Sequence, residues 1–154
     1  MKDSSIIILI LAVAMSVITI LAFLPVWQHD NMADWAGSWI VSFFRDVCHQ
    51  QPDRMFELGN SFPAICSRCT GIYTGITLGL WASFVGVVYS VQLPRAAVIS
   101  VTISTTLIIG IDVLAQWINL WEGSNLQRSV LGLIWGMAIV SIVLTSKKIS
   151  KNGT

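Results

Sequence analysis

Charge is what this sequence has least of: 11% of its 154 residues are Asp, Glu, Lys or Arg, against 55% that are hydrophobic. Soluble domains carry roughly 25% charged residues, and a soluble fold of this length has no interior large enough for so much apolar surface. A net charge of +1 and the lack of any long basic run leave nothing to track a phosphate backbone, so nucleic acid is not an expected partner. Histidine and cysteine are scarce as well, two and three residues, so metal or redox chemistry has few side chains to draw on. No P-loop, G-x-S-x-G or H-E-x-x-H string occurs, which removes support for the common nucleotide-dependent, serine-hydrolase and zincin chemistries. What remains is a single membrane domain, residues 1–154, in the class of all-α integral membrane proteins.

A bilayer crossing needs about 20 predominantly apolar residues, and four segments supply approximately that: 5–26, 70–89, 96–117 and 129–144. The first contains no charge, and Leu24-Pro25-Val26-Trp27 is a poor small-residue cleavage site, so an uncleaved anchor is expected rather than a signal peptide. Seven tryptophans, several of them where apolar runs meet polar ones, fit an aromatic belt. Residues 28–69 hold too many charges to cross. Within them Met32, Trp35, Trp39, Ile40, Phe43, Phe44 and Val47 recur at helical spacing, which predicts an amphipathic interfacial helix between the first and second spans. Gly71, Gly75 and Gly79 in the second span and Gly132 with Gly136 in the fourth form small-residue stripes. Such stripes allow close helix packing inside the bundle, or a homo-oligomer through the glycine-rich faces.

Four crossings put both termini and the Arg95 loop on one side. That side carries Lys2, Arg95, Lys147, Lys148 and Lys151 with only Asp3 opposing, so the positive-inside rule places both termini in the cytoplasm of a cell membrane. Segment 28–69 and the 117–128 loop then face outward. Cys48, His49, Cys66, Cys69, Asp112, Gln116 and Arg128 thereby converge at one face. His29, outside any motif, is expected to be a surface histidine.

Cys66 and Cys69 form a C-x-x-C pair, with Cys48 and His49 about 17 residues upstream. Two thiolates three apart can clasp one ion from a single turn while distant ligands complete a tetrahedron, so Cys48, His49, Cys66 and Cys69 are the candidate metal ligands, with zinc the expected ion. Adjacency of Cys48 and His49 strains that set, and three sulfurs with His49 outside the ligand sphere is an equal variant. An outward-facing C-x-x-C also suits thiol–disulfide exchange with a quinone, and inert thiols or a structural clip complete the alternatives.

Asp112 is the most deeply set charge, roughly 24 Å along its helix at about 1.5 Å per residue. Such a group faces a cavity or an opposite charge, and Arg54, Arg68 and Arg128 are its natural partners. It is read either as a catalytic acid–base beside His49 or as a buried ion pair that fixes helix register. The outward side has four arginines and no lysine. Arginine favours bidentate contact with phosphate or carboxylate, so Arg54, Arg68, Gln116, Asn125 and Arg128 are candidate binding residues for an anionic, lipidic substrate such as a phosphorylated lipid.

Cys48-His49-Gln50 with Pro52 and Arg54, then Cys66-Ser67-Arg68-Cys69-Thr70-Gly71-Ile72-Tyr73 with Gly75, resemble the signature of the domain of unknown function 2085 family of small membrane proteins. Asp112, Gln116, Asn125, Arg128 and Gly132 resemble its second block. The resemblance implies one multi-span domain whose polar residues form one site, without specifying a reaction. Three functions are therefore carried forward: a metal-dependent hydrolase or transferase, a membrane thiol–disulfide oxidoreductase, and a non-enzymatic lipid- or ion-binding protein with a structural metal clip.

Overall fold

The computed structural model describes residues 2–27, 34–58, 61–86, 94–118 and 120–152, and within them the chain is helical. His29, Met32 and the last three residues of the expected second span lie outside the described residues. Among the described residues there are five α-helices: α1 (Lys2–Trp27), α2 (Asp34–Arg45), α3 (Ser67–Phe84), α4 (Arg95–Trp117) and α5 (Asn125–Asn152). A single 3₁₀ turn, Pro52–Arg54, lies between α2 and α3.

Among the described residues, three helices contain stretches long and apolar enough to cross a membrane: Ser5–Val26, Ala96–Trp117 and Asn125–Leu144. The expected second span differs. Among the described residues α3 is not one of these, and it is rich in glycine, serine and threonine. It packs against α1 on one side and, far more extensively, against α5 on the other. Four of its hydroxyls are satisfied by backbone of the same segment: Thr70, Thr74, Thr77 and Ser83 each donate to the carbonyl four residues earlier. This back-bonding lets polar side chains sit in an apolar setting without an unmet donor.

The contact between α3 and α5 is made by backbone. A methyl added to Gly71 or Gly75 would stand less than 3.0 Å from the carbonyl oxygen of Ser129 or Leu133, and one on Gly132 or Gly136 would meet those of Arg68 or Ile72. The two glycine stripes are thus spent on each other within the chain, and a second copy would have to dock on another face. α4 packs on the far side of α5, and α2 lies against α1, giving the lateral order α2–α1–α3–α5–α4. Tryptophan–hydroxyl hydrogen bonds stitch neighbouring helices, Trp81 Nε1 to Ser16 Oγ at 2.9 Å and Trp135 Nε1 to Thr106 Oγ1 at 2.8 Å.

The helices run alternately. The end of α1 meets the segment preceding α3, where the Ala64 N–H donates to the Ala22 carbonyl at 2.8 Å. The end of α4 meets the start of α3 through Asp112 and Arg68, and the start of α5 meets it through Asn125 and Ser67. One end of the bundle therefore gathers residues from every element. A small core sits there, built from Ala22, Phe44, Cys48, Ala64 and Ile65 with Ile18, Ile40, Val41 and Tyr73 packed around it. α2 contributes Ile40, Val41 and Phe44 to this core. Its Trp39 and Phe43, followed by Val47 just beyond, form an exposed apolar row.

Candidate functional site

The segment after α2 is positioned by one side chain. Gln50 has a positive φ of 48°, a conformation uncommon outside glycine, asparagine and aspartate. Its amide nitrogen donates to the Val41 carbonyl at 2.6 Å and the Ala64 carbonyl at 2.9 Å, fastening the end of α2 to the strand of chain entering α3. Cys48 is thereby turned inward, only 3% exposed. His49 next to it faces out.

α3 begins with the C-x-x-C pair: Cys66 is its N-cap and Cys69 lies in the first turn. The Sγ atoms of Cys48, Cys66 and Cys69 all lie within 4.8 Å of one another, close enough for three sulfurs to hold one metal ion. All three cysteines are free. The Cys66 N–H donates to Cys48 Sγ at 3.2 Å. Hydrogen bonds from the Cys66 and Cys69 thiols, with this backbone donor, hold the Cys48 thiol well below the ordinary thiol range despite its burial. A helix N-terminus adds in the same direction by favouring negative charge. Of the two ligand sets expected from sequence, the three sulfurs are the ones brought together, with His49 exposed beside them. Successive residues in an extended turn point in opposite directions, so burying Cys48 turns its neighbour outward.

A cleft of about 180 Å³ opens over the sulfurs, lined by the 47–51 segment, Arg54, the 66–69 turn and Arg128. The three arginines are used differently. Arg68 forms an ion pair with Asp112, which is buried, so the arginine partner of Asp112 is now identified. Arg54 stands 3.6 Å from Asp53, too long for a hydrogen bond. Arg128 is 5% exposed and is held by neutral acceptors, Asn125 Oδ1 at 3.0 Å, Gln116 Oε1 at 3.1 Å and the Glu122 carbonyl. Asn125 in turn accepts from Ser67 Oγ at 3.1 Å and donates to the Met55 carbonyl at 2.8 Å. Ser124 caps α5, its Oγ accepting from the Gln127 N–H at 3.1 Å.

Of the residues singled out from sequence, Arg54, Arg68, Arg128 and His49 line the cleft with the cysteines, while Gln116 and Asn125 orient Arg128 behind it. Ser67 and Gln50 were not among the expected site residues. Ser67 is fully buried and links the starts of α3 and α5. Gln50 had one signal in the sequence, its place in a polar turn ahead of a proline, where side chains commonly bond backbone.

A helical bundle with three apolar, membrane-length helices and a cysteine- and arginine-lined cleft at one end defines a class of membrane protein. The family model for predicted membrane proteins, DUF2085, matches residues 48–142, and the chain belongs to that family. It is similar to an uncharacterised protein of Methanothermobacter thermautotrophicus, 31% identical over 105 residues, which span 68% of this chain and 90% of that protein. An uncharacterised protein of Methanocaldococcus jannaschii is 26% identical over 118 residues, covering 76% of this chain and 74% of the relative. No solved structure matches. The matched region begins at Cys48 and takes in the whole cleft apart from Val47.

Proposed function

We propose that this is a metal-binding membrane protein in which Cys48, Cys66 and Cys69 hold a single thiophilic ion at the extracytoplasmic face. The observation that carries this reading is the convergence of three sulfurs, two from one helical turn and one from a separate segment, within 4.8 Å. Tetrahedral zinc at about 2.3 Å from each sulfur spaces sulfurs about 3.8 Å apart, so small side-chain adjustments close the group on an ion. Thiolate softness favours zinc over the hard cations. A fourth position is left toward the cleft, with His49 on its rim.

The proposed setting is a bundle of four crossings, with α3 the enclosed one, α2 lying at the interface and both termini cytoplasmic in a cell membrane. The alternating helix direction supports it, as does the placing of Lys147, Lys148 and Lys151 at the end of α5 away from the cleft. A cysteine at exposed Glu57, in a background without the native cysteines, should react with an impermeant maleimide added to intact cells. Labelling only after lysis would reverse the orientation.

The open fourth position is the ground for a hydrolase or transferase acting on an anionic lipidic substrate. Two features weigh against placing it first: Asp112, the candidate acid–base, is engaged by Arg68, and three thiolates leave a metal-bound water a poorer acid than three imidazoles do. A second reading has its own observation, three free cysteines whose sulfurs lie within 4.8 Å of one another. In it a pair of thiols closes to a disulfide, and the two electrons and two protons pass to a quinone, giving the quinol.

Metal content and thiol titration on one anaerobically purified sample separate the readings. The metal reading expects about one zinc per chain, three thiols reactive only after chelation, and loss of the ion in each of Cys48→Ser, Cys66→Ser and Cys69→Ser. A metal-free protein whose thiol count rises by two on reduction would replace it with the redox reading.

A further inference from the structure

Two guanidinium nitrogens of arginines that line the cleft make no hydrogen bond among the described residues. The Nε atoms of Arg54 and Arg128 are both buried and both lack a hydrogen-bond partner among the described residues. Leaving a buried charged donor unmet costs more than an ordinary hydrogen bond contributes. Arg128 is the more telling of the two. Its side chain is more than nine-tenths buried, and its two terminal nitrogens donate to oxygens of Asn125, Gln116 and Glu122, which fix the plane of the fork. All of these acceptors are neutral. Arg68, by contrast, has its carboxylate in Asp112, and Arg54 has the exposed Asp53 carboxylate 3.6 Å from its Nε, beyond hydrogen-bond reach.

We propose that the cleft holds a tetrahedral oxyanion of the phosphate class between Arg54 and Arg128, beside the three sulfurs. Guanidinium groups meet phosphate oxygens in paired, directional hydrogen bonds. The first turn of α3 forms another wall of the same cleft, and a helix start favours an anion there. Size agrees: the cleft has room for roughly six waters at about 30 Å³ each, ample for one phosphate group. A metal bound through sulfur offers these two donors no oxygen, so the anion site stands on the arginines and does not depend on the metal reading.

The phosphate group has two sources, free phosphate or the headgroup of a lipid. Lateral access from the bilayer would run along the exposed row Trp39, Phe43 and Val47, the last of which lines the cleft.

The test uses the full-length protein in phosphatidylcholine nanodiscs, with inorganic phosphate as the titrant followed by calorimetry. A parallel set of nanodiscs contains phosphatidic acid and is read by native mass spectrometry. Saturable binding of phosphate in the first set, or one retained phosphatidic acid in the second, is expected. Arg54→Gln and Arg128→Lys should each weaken it by about tenfold or more, while Arg45→Gln, an arginine that does not line the cleft, leaves it unchanged. Binding in both sets assigns the site to any phosphate group, and binding in the lipid set alone assigns it to a headgroup. Failure in both sets by a folded protein overturns the proposal, whether or not the cysteines carry metal. Binding equally strong in Arg54→Gln and Arg128→Lys also overturns it.

Discussion

Alanine at Gly71 or Gly75 is expected to be among the most damaging small substitutions in the chain. The added methyl would stand less than 3.0 Å from a carbonyl oxygen of α5. That neighbour is main chain inside a helix, so it has no rotamer to swing aside, and the two helices must separate along their length. Overpacking of a tight interface costs about 1–3 kcal/mol when side chains can yield, and a backbone obstacle should bring the loss to that upper figure or beyond. Gly110→Ala is the matched control. It lies on α4 with nothing within 4 Å of the new methyl, and replacing glycine in a helix gains up to about 1 kcal/mol. Thermal unfolding in one detergent, followed by tryptophan fluorescence, should show Tm falling for Gly71→Ala and Gly75→Ala and holding or rising for Gly110→Ala. An unchanged Tm for both α3 variants would mean the helices are further apart than the structure has them.

The second large effect is expected from the buried pair. Asp112→Asn removes the carboxylate that Arg68 faces. Removing one member of a buried pair typically costs about 3–5 kcal/mol, whereas replacing both with apolar groups is often neutral. Arg68 is the less enclosed partner, its side chain 20% exposed against 6% for Asp112, which should bring the cost toward the lower end. The double variant Arg68→Met with Asp112→Leu should recover most of the stability lost by Asp112→Leu alone. A double-mutant cycle built from the four unfolding midpoints measures this directly. Additive losses would show that the pair is not coupled and would return Asp112 to consideration as an acid–base.

Hydropathy made α1, α4 and α5 legible as apolar helices, because an apolar run of that length with at most one charge inside it has few other uses. The joining of the 48–54 turn to residues 112, 116, 125 and 128 was legible too, for a topological reason: alternating helices bring those chain positions to one end. Rotation about the helix axes was not legible. Three arginines were equivalent partners for Asp112 until the glycine contact fixed how α3 faces α5, and only then did Arg68 meet the carboxylate while Arg128 turned to Asn125 and Gln116. His49 could not be separated from Cys48 as a ligand, since which of two neighbours points inward depends on the conformation of Gln50. The exposed row on α2 was hidden for a similar reason. Its apolar positions outnumber what one face can bury, so Phe44 is enclosed while Trp39 and Phe43 are not.

The backbone-to-backbone seam between α3 and α5 makes the cleft a clamp with one anvil. Cys66, Cys69 and Arg128 belong to helices that cannot slide or roll past each other without lifting glycine off a carbonyl. Cys48 and Arg54 belong to the intervening turn, tied down by the Gln50 amide, the Cys66 N–H and the Asn125 amide on the Met55 carbonyl. Opening and closing therefore falls to one jaw. Hydrogen exchange should be fast across residues 47–54 and slow through Thr70–Gly79, and filling the cleft should slow the first without altering the second.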